Sequence, residues 1–280
     1  MVVFWKFNKF NLPAMKKIFT QGLTLAAMFL GLWFLLQKLD WTAIFSVEEI
    51  SSKTEQKLGE LFWEILKNTE KENENPFVLS TIDSIVTKIC AANNISAANI
   101  NVHVLDTNSV NAFALPGRRL VLFSGLILET ENQEELAGVI AHEIAHIELR
   151  HVMKKLIKEF GVSVLISMTI GRSGSPDIIG ETVRMLSSTA FDRELEREAD
   201  IKAVDYLFKA NIDPEPFAGF LYRLSENDRK IIRYLTWIST HPDSKTRAEY
   251  IIEHGKNTRV DPQQIISKET WDRLLKELRD

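Results

Sequence analysis

Five residues, His142-Glu143-Ile144-Ala145-His146, constrain this chain more than any other segment, and they sit inside a longer stretch, Glu134 to His151, with helical apolar periodicity. Residues four apart share one face of a helix about one turn from each other, so His142 and His146 direct their imidazoles at one point. Two neutral imidazoles at that spacing suit a zinc ion, and Glu143 beside the first reaches a water activated by the metal. The helix is credible without the metal. Leu136, Val139, Ile140, Ile144 and Ile147 supply the apolar stripe, and Asn132 is placed to cap a first turn rich in Glu. The bland alternative is a buried helix carrying two satisfied histidines, so the motif needs partners elsewhere in the chain.

A catalytic zinc takes three protein ligands and keeps one position open. His151 lies five residues past His146, and Leu149 stands where a metzincin-like motif requires Gly, so His151 reads as structural, holding a helix end. The other candidates are the carboxylates of Arg193-Glu-Leu-Glu-Arg-Glu-Ala-Asp200. Glu196 and Asp200 stand four apart on one helical face. One can bind the metal while the other accepts the N–H of a ligating imidazole. Glu194 and Glu198 read as a solvated charged face.

The chain of 280 residues is long enough for a sizeable core, and its net charge of -4 gives no reason to expect nucleic acid as a partner. Its one cysteine, Cys90, excludes an internal disulfide and falls in an apolar helical pattern, as a small core residue does. Residues 18–37 run twenty positions without a charge, behind Lys6, Lys9, Lys16 and Lys17. That pattern predicts a single transmembrane anchor held by membrane lipid, with the N-terminus cytoplasmic and the remainder on the far side, facing the periplasm in a bacterium with two membranes. A cleaved signal peptide fits less well, because no small-x-small site follows.

Along the rest of the chain, a helix with Leu58, Leu61, Phe62, Ile65 and Leu66 on one face is followed by a polar connector, 67–76, and a second helix over 81–92. Strands are expected over 100–105, 111–115 and 119–123, the last two joined by a Pro116-Gly117 turn. His103 reads as a strand-face residue. The uncharged core 160–170 is too short to cross a bilayer and suits a core or membrane-surface helix. Ser175-Pro176 opens a long helix running to about Phe208, Asp213-Pro214 opens another, and 268–278 is amphipathic. The expected organisation is a basic N-terminus (1–17), the anchor (18–37), a helical linker (38–75), a main domain (76–255) and a C-terminal helix (256–280).

Four motifs in order carry a family resemblance: Asn111-Ala-Phe-Ala-Leu-Pro-Gly117, His142-Glu-Ile-Ala-His146, Arg193-x-x-Glu196-x-x-Ala-Asp200 and Ser-Thr-His241-Pro242. Together they resemble the membrane-associated, gluzincin-type zinc metalloendopeptidases that include the CAAX prenyl proteases, the heat-shock protease HtpX and the periplasmic protease BepA. Glu55-Gln-Lys-Leu-Gly59 resembles the helix that precedes their protease core. The resemblance implies an α+β, mainly helical fold, a zincin-like core with about three strands packed on the H-E-x-x-H helix beside the N-terminal transmembrane helix. It implies one Zn2+ per chain, with His142, His146 and Glu196 as ligands, Glu143 as general base and Asp200 holding a ligating imidazole. Asn111, Ala112, Phe113 and Ala114 would border the cleft, where an extended polypeptide adds to the sheet edge. His241 would donate to the tetrahedral oxyanion, or would hold the enzyme latent by closing the open metal position. Unlike the prenyl proteases and HtpX, this chain shows one convincing span, and unlike BepA no tetratricopeptide-like repeat follows. The expected activity is hydrolysis of peptide bonds in unfolded, misfolded or membrane-associated proteins; a zinc-dependent chaperone that binds without cutting is the alternative. The sequence does not indicate the oligomeric state.

Overall fold

The computed structural model describes residues 20–31, 33, 50–170, 176–227, 235–256, 258 and 261–279. The chain divides into two compact units, Met1–Ser46 and Val47–Asp280. In the first unit residues 20–31 and 33 are helical, and Leu23, Leu25, Met28, Phe29, Leu30 and Trp33 are exposed. No helix among the described residues is long and apolar enough to cross a membrane. The span expected over 18–37 lies partly outside the described residues, as do the lysines before it.

The second unit is mainly helical around one small mixed sheet. Helix α1 (Ser52–Thr69) is capped by the Ser51 side chain, which accepts from the Thr54 amide, and it buries Leu58, Phe62 and Leu66. Helix α2 (Pro76–Ala92) begins five residues earlier than its apolar pattern suggests, because Asn75 caps it and Pro76 fits the first turn. Strands β1 (Asn101–Leu105), β2 (Ala112–Leu115) and β3 (Arg119–Phe123) follow. Their order is β1-β3-β2, with β1 parallel and β2 antiparallel to β3, so β2 lies at one edge. The β2–β3 turn packs directly on α1: a Cβ at Gly59 would overlap the Pro116 carbonyl oxygen, which is why glycine occupies that position.

A short helix, α3 (Ser124–Glu129), leads to α4 (Gln133–Glu148), which carries both motif histidines. Asn132 caps α4 through the Glu135 amide at 2.9 Å. The sheet lies against one side of α4, and α8 (Arg193–Lys209) and α9 (Glu215–Asn227) against the other. Every residue of α4 from Glu135 to Ile147 is therefore buried. Arg150 takes a left-handed φ of 55°, and the chain restarts as α5 (His151–Phe160). Gly161, at φ 75°, divides α5 from α6 (Val162–Ile170).

The single long helix expected from Ser175 to Phe208 is two helices, α7 (Pro176–Ser188) and α8. Ser187 and Thr189 turn their hydroxyls back to the Arg184 and Met185 carbonyls, at 3.2 and 2.7 Å, competing with the next turn of backbone. Phe191 then turns inward and is buried. Helices α10 (Leu235–Thr240), α11 (Ser244–Gly255) and α12 (Lys268–Glu277) complete the unit. Trp271 and Leu274 of α12 and Leu58 and Phe62 of α1 join the same core as α4.

Candidate active site

Helix α8 is charged along most of its length, yet its inward stripe reads Glu196, Ala199, Asp200, Ala203, Val204, Leu207. The alanines admit close approach to α4, and the same spacing carries two carboxylates inward while Glu194 and Glu198 stay exposed. His142, Glu143, His146, Glu196, Asp200 and His241 all converge between α4, α8 and the end of α10, and none is more than 2% exposed.

One donor atom each from His142, His146, Glu196 and His241 lies within 4.8 Å of all the others. The two motif imidazoles face each other, Nε2 to Nε2, at 3.0 Å. Glu196 Oε2 is 3.7 Å from His142 Nε2, and its Oε1 is 3.4 Å from His146 Nε2. His241 Nδ1 is 3.3 Å from His142 Nε2 and 3.1 Å from Glu196 Oε1. Four ligands about 2.0–2.1 Å from a tetrahedral zinc stand roughly 3.3 Å apart, so these separations fit that ion.

Proton placement points the same way. His142 Nδ1 is 2.8 Å from Asp200 Oδ1, so it donates there and leaves Nε2 bare toward the cluster. Burial pushes the His142 pKa down, and although Asp200 draws it up, the adjacent Arg247 and His146 oppose that, so the ring stays neutral. Both Glu143 carboxylate oxygens and His241 Nε2 are buried without a hydrogen-bond partner. Buried lone pairs and unpartnered oxygens gathered at one place are costly unless a cation, water or substrate completes them. The residues present therefore fit zinc.

Arg247 of α11 is a participant that the sequence reading missed. It is 2% exposed and bridges both carboxylates, with Nε 2.7 Å and Nη2 2.8 Å from Asp200 and Nη1 2.9 Å from Glu196. The Tyr250 hydroxyl also donates to Asp200. Burial works against the charge on Asp200, but Arg247 and His142 hold its carboxyl below the usual range. Burial likewise opposes ionisation of Glu196, and His241 and Arg247 overcome it. Burial lowers the His241 pKa, but Glu196 and then Glu143 draw it up beyond its ordinary value. The signal for Arg247 was present in α11, where Arg247, Ala248 and Ile251 form one inward face.

His241, expected as an oxyanion donor, is among the candidate metal ligands, with its Nδ1 toward His142 and Glu196 and its Nε2 3.4 Å from Glu143 Oε1. His151, read as a helix-end residue, is buried against His146, with Nδ1 to Nδ1 at 3.1 Å. Asn111, Ala112, Phe113 and Ala114 lie at the start of edge strand β2 and are buried. The Asn111 amide donates to the Ser187 carbonyl of α7 at 3.4 Å and accepts from the Thr240 hydroxyl at 3.2 Å. His103 stacks on Trp63 and pairs with Glu72 at 2.8 Å, away from the cluster.

Residues 76–254 match the family model of peptidase family M48. The beta-barrel assembly-enhancing protease of Yersinia pestis is 25% identical over 223 residues, covering 73% of this chain and 46% of that protein. The mitochondrial metalloendopeptidase OMA1 of Schizosaccharomyces pombe is 28% identical over 195 residues, covering 68% and 55% respectively. The mitochondrial metalloendopeptidase OMA1 of Bos taurus is 27% identical over 227 residues, covering 75% and 42%. The chain thus spans about half the length of these curated relatives.

Proposed function

This chain belongs to peptidase family M48, whose members are zinc metalloproteases, and from that premise we propose that it is a zinc endopeptidase acting on extended polypeptide. One observation carries the reading. Two imidazole nitrogens, His142 Nε2 and His146 Nε2, and the Glu196 carboxylate meet at a tetrahedral spacing beside Glu143, which is buried and makes no hydrogen bond. His142, His146 and Glu196 would hold the zinc, with Asp200 and Arg247 fixing His142 and Glu196 in place. Bound zinc supplies Lewis-acid activation of water and of the scissile carbonyl. Glu143 takes the proton of the attacking water and returns it to the leaving amine. An endopeptidase needs its substrate backbone extended past these groups, and the β2 edge formed by 111–115 supplies main-chain partners for it.

His241 sits where a fourth ligand would, and β2 is buried, so we read the described arrangement as latent. Withdrawal of the His241 loop and displacement of α7 would free the metal position and the strand edge together. Membrane association by a single N-terminal span over 18–37 remains part of the proposal, with the catalytic region on the far side. Support comes from that uncharged run and from exposed apolar side chains elsewhere, Val164, Ile166 and Ile170 on α6 and Ile178 on α7. Substrates would be unfolded, misfolded or membrane-associated proteins; one relative is named for beta-barrel assembly, which makes beta-barrel proteins one class to test. Casein cleavage by the wild-type or His241→Ala protein, abolished by Glu143→Gln with zinc retained, supports a peptidase. Binding of unfolded protein with no cleavage in any variant supports a chaperone instead.

A further inference from the structure

The buried imidazole of His151 has no part in the chemistry above, yet it touches a candidate ligand. Five residues of continuous helix would turn its side chain about 140° away from that of His146. The chain avoids this by ending α4 at Glu148, passing through left-handed Arg150 and restarting at His151. The ring is thereby folded back onto His146, with centroids 4.9 Å apart and planes at 77°. On its other side, His151 Nε2 is 3.2 Å from Glu198 Oε2.

The proton count follows from the partners. An ionised carboxylate only accepts, so the hydrogen between His151 and Glu198 belongs to His151 Nε2. A neutral His151 then presents a lone pair at Nδ1, and the hydrogen between the two Nδ1 atoms belongs to His146. His146 is left with a bare Nε2 pointing into the cluster, as a metal ligand requires. We propose that His151, oriented by Glu198, is a positioning residue that fixes the tautomer and ring angle of His146 for zinc, as Asp200 does for His142. The two ligating imidazoles would then be supported differently, one by a buried anion and the other by a neutral ring with a half-exposed carboxylate behind it. The proposal rests on the reading of His146 as a zinc ligand.

Zinc affinity measured by chelator competition on the full chain in detergent, with melting of the zinc-free protein as the check on folding, tests it. His151→Phe keeps the ring volume but offers no acceptor, and its zinc affinity is expected to fall about 10–100-fold. His151→Gln keeps an acceptor toward His146 and a donor toward Glu198, and should stay within about threefold of wild type by the same argument. Wild-type affinity in the Phe variant would overturn the proposal, as would equal losses in Phe and Gln, which would indicate packing alone. If the Phe protein does not fold, the Gln and Glu198→Ala proteins decide: Gln near wild type with a severalfold loss in Glu198→Ala supports the relay, and the reverse order refutes it. His146→Ala separates the premise, since undiminished zinc binding there would remove His146 from the ligand set and the proposal with it.

Discussion

Arg247 concentrates the electrostatics of the site, because one guanidinium compensates two buried carboxylates that would otherwise face each other across the cluster. Removing one partner of a buried ion pair typically costs about 3–5 kcal/mol, since the remaining charge is left unpaired. Arg247→Ala should lower the unfolding free energy by about that amount, and Arg247→Lys, which keeps the charge but loses the bidentate fork, should fall between the two. Urea unfolding of the three proteins checks this; an Ala variant as stable as wild type would contradict it. Lys155 gives a second prediction. Burial pushes its pKa down to about 8, and its ammonium donates to the Thr189 carbonyl at 2.6 Å over the Phe191 ring. Between pH 8 and the ordinary lysine value the unfolded chain binds more protons than the folded one, so this group adds stability as pH rises through that window. Urea midpoints from pH 7 to 10 should show that rise, and Lys155→Met should lack it. The metal motif, its glutamate and the carboxylate pair four apart were legible because each depends on helical spacing alone. The contact of His151 with His146 was not, because it depends on a left-handed residue at Arg150 that no local rule places there.

At the level of elements, close approach decides more than propensity. Gly59 lets α1 rest on the β2–β3 turn, and a methyl group there would strike backbone rather than a flexible side chain. Gly59→Ala should therefore cost about 1–3 kcal/mol, as overpacking does, and should disturb the β2–β3 turn and with it the strand proposed to receive substrate. A melting curve and casein cleavage measured on one preparation would show both effects. The H-E-x-x-H helix with its Asn132 cap, the three strands and the C-terminal amphipathic helix follow from apolar period and turn residues, and they lie where those signals put them. The division between α7 and α8 was hidden because Ser187, Ser188 and Thr189 are tolerated within helices as well as at their ends. Exposed Val164, Ile166, Ile170 and Ile178 belong to this scale too. Within 152–184, five Lys or Arg accompany three Asp or Glu, a cationic segment in a chain of net charge -4. A fluorescent probe at position 170 in proteoliposomes should be quenched by labelled lipid, whereas one at Tyr222, exposed elsewhere, should not.

For the whole molecule, the proposed function has catalysis and restraint share the same groups. His241 completes the candidate ligand set, Thr240 beside it holds Asn111 at the entrance to β2, and Asn111 also reaches α7. A shift of the His241 loop would loosen the strand edge at the same time, so His241→Ala should cleave casein faster than wild type with its zinc retained. A variant no faster than wild type would remove the latent reading and leave the peptidase reading intact. The central claim is that this M48 chain holds zinc through its H-E-x-x-H helix and uses Glu143 as the base. The most direct test measures zinc per chain alongside casein cleavage in the wild-type and His241→Ala proteins, each with and without Glu143→Gln. The account predicts one zinc per chain in all four proteins and cleavage only where Glu143 is intact. Cleavage that survives Glu143→Gln, or protein that binds no zinc, would contradict it.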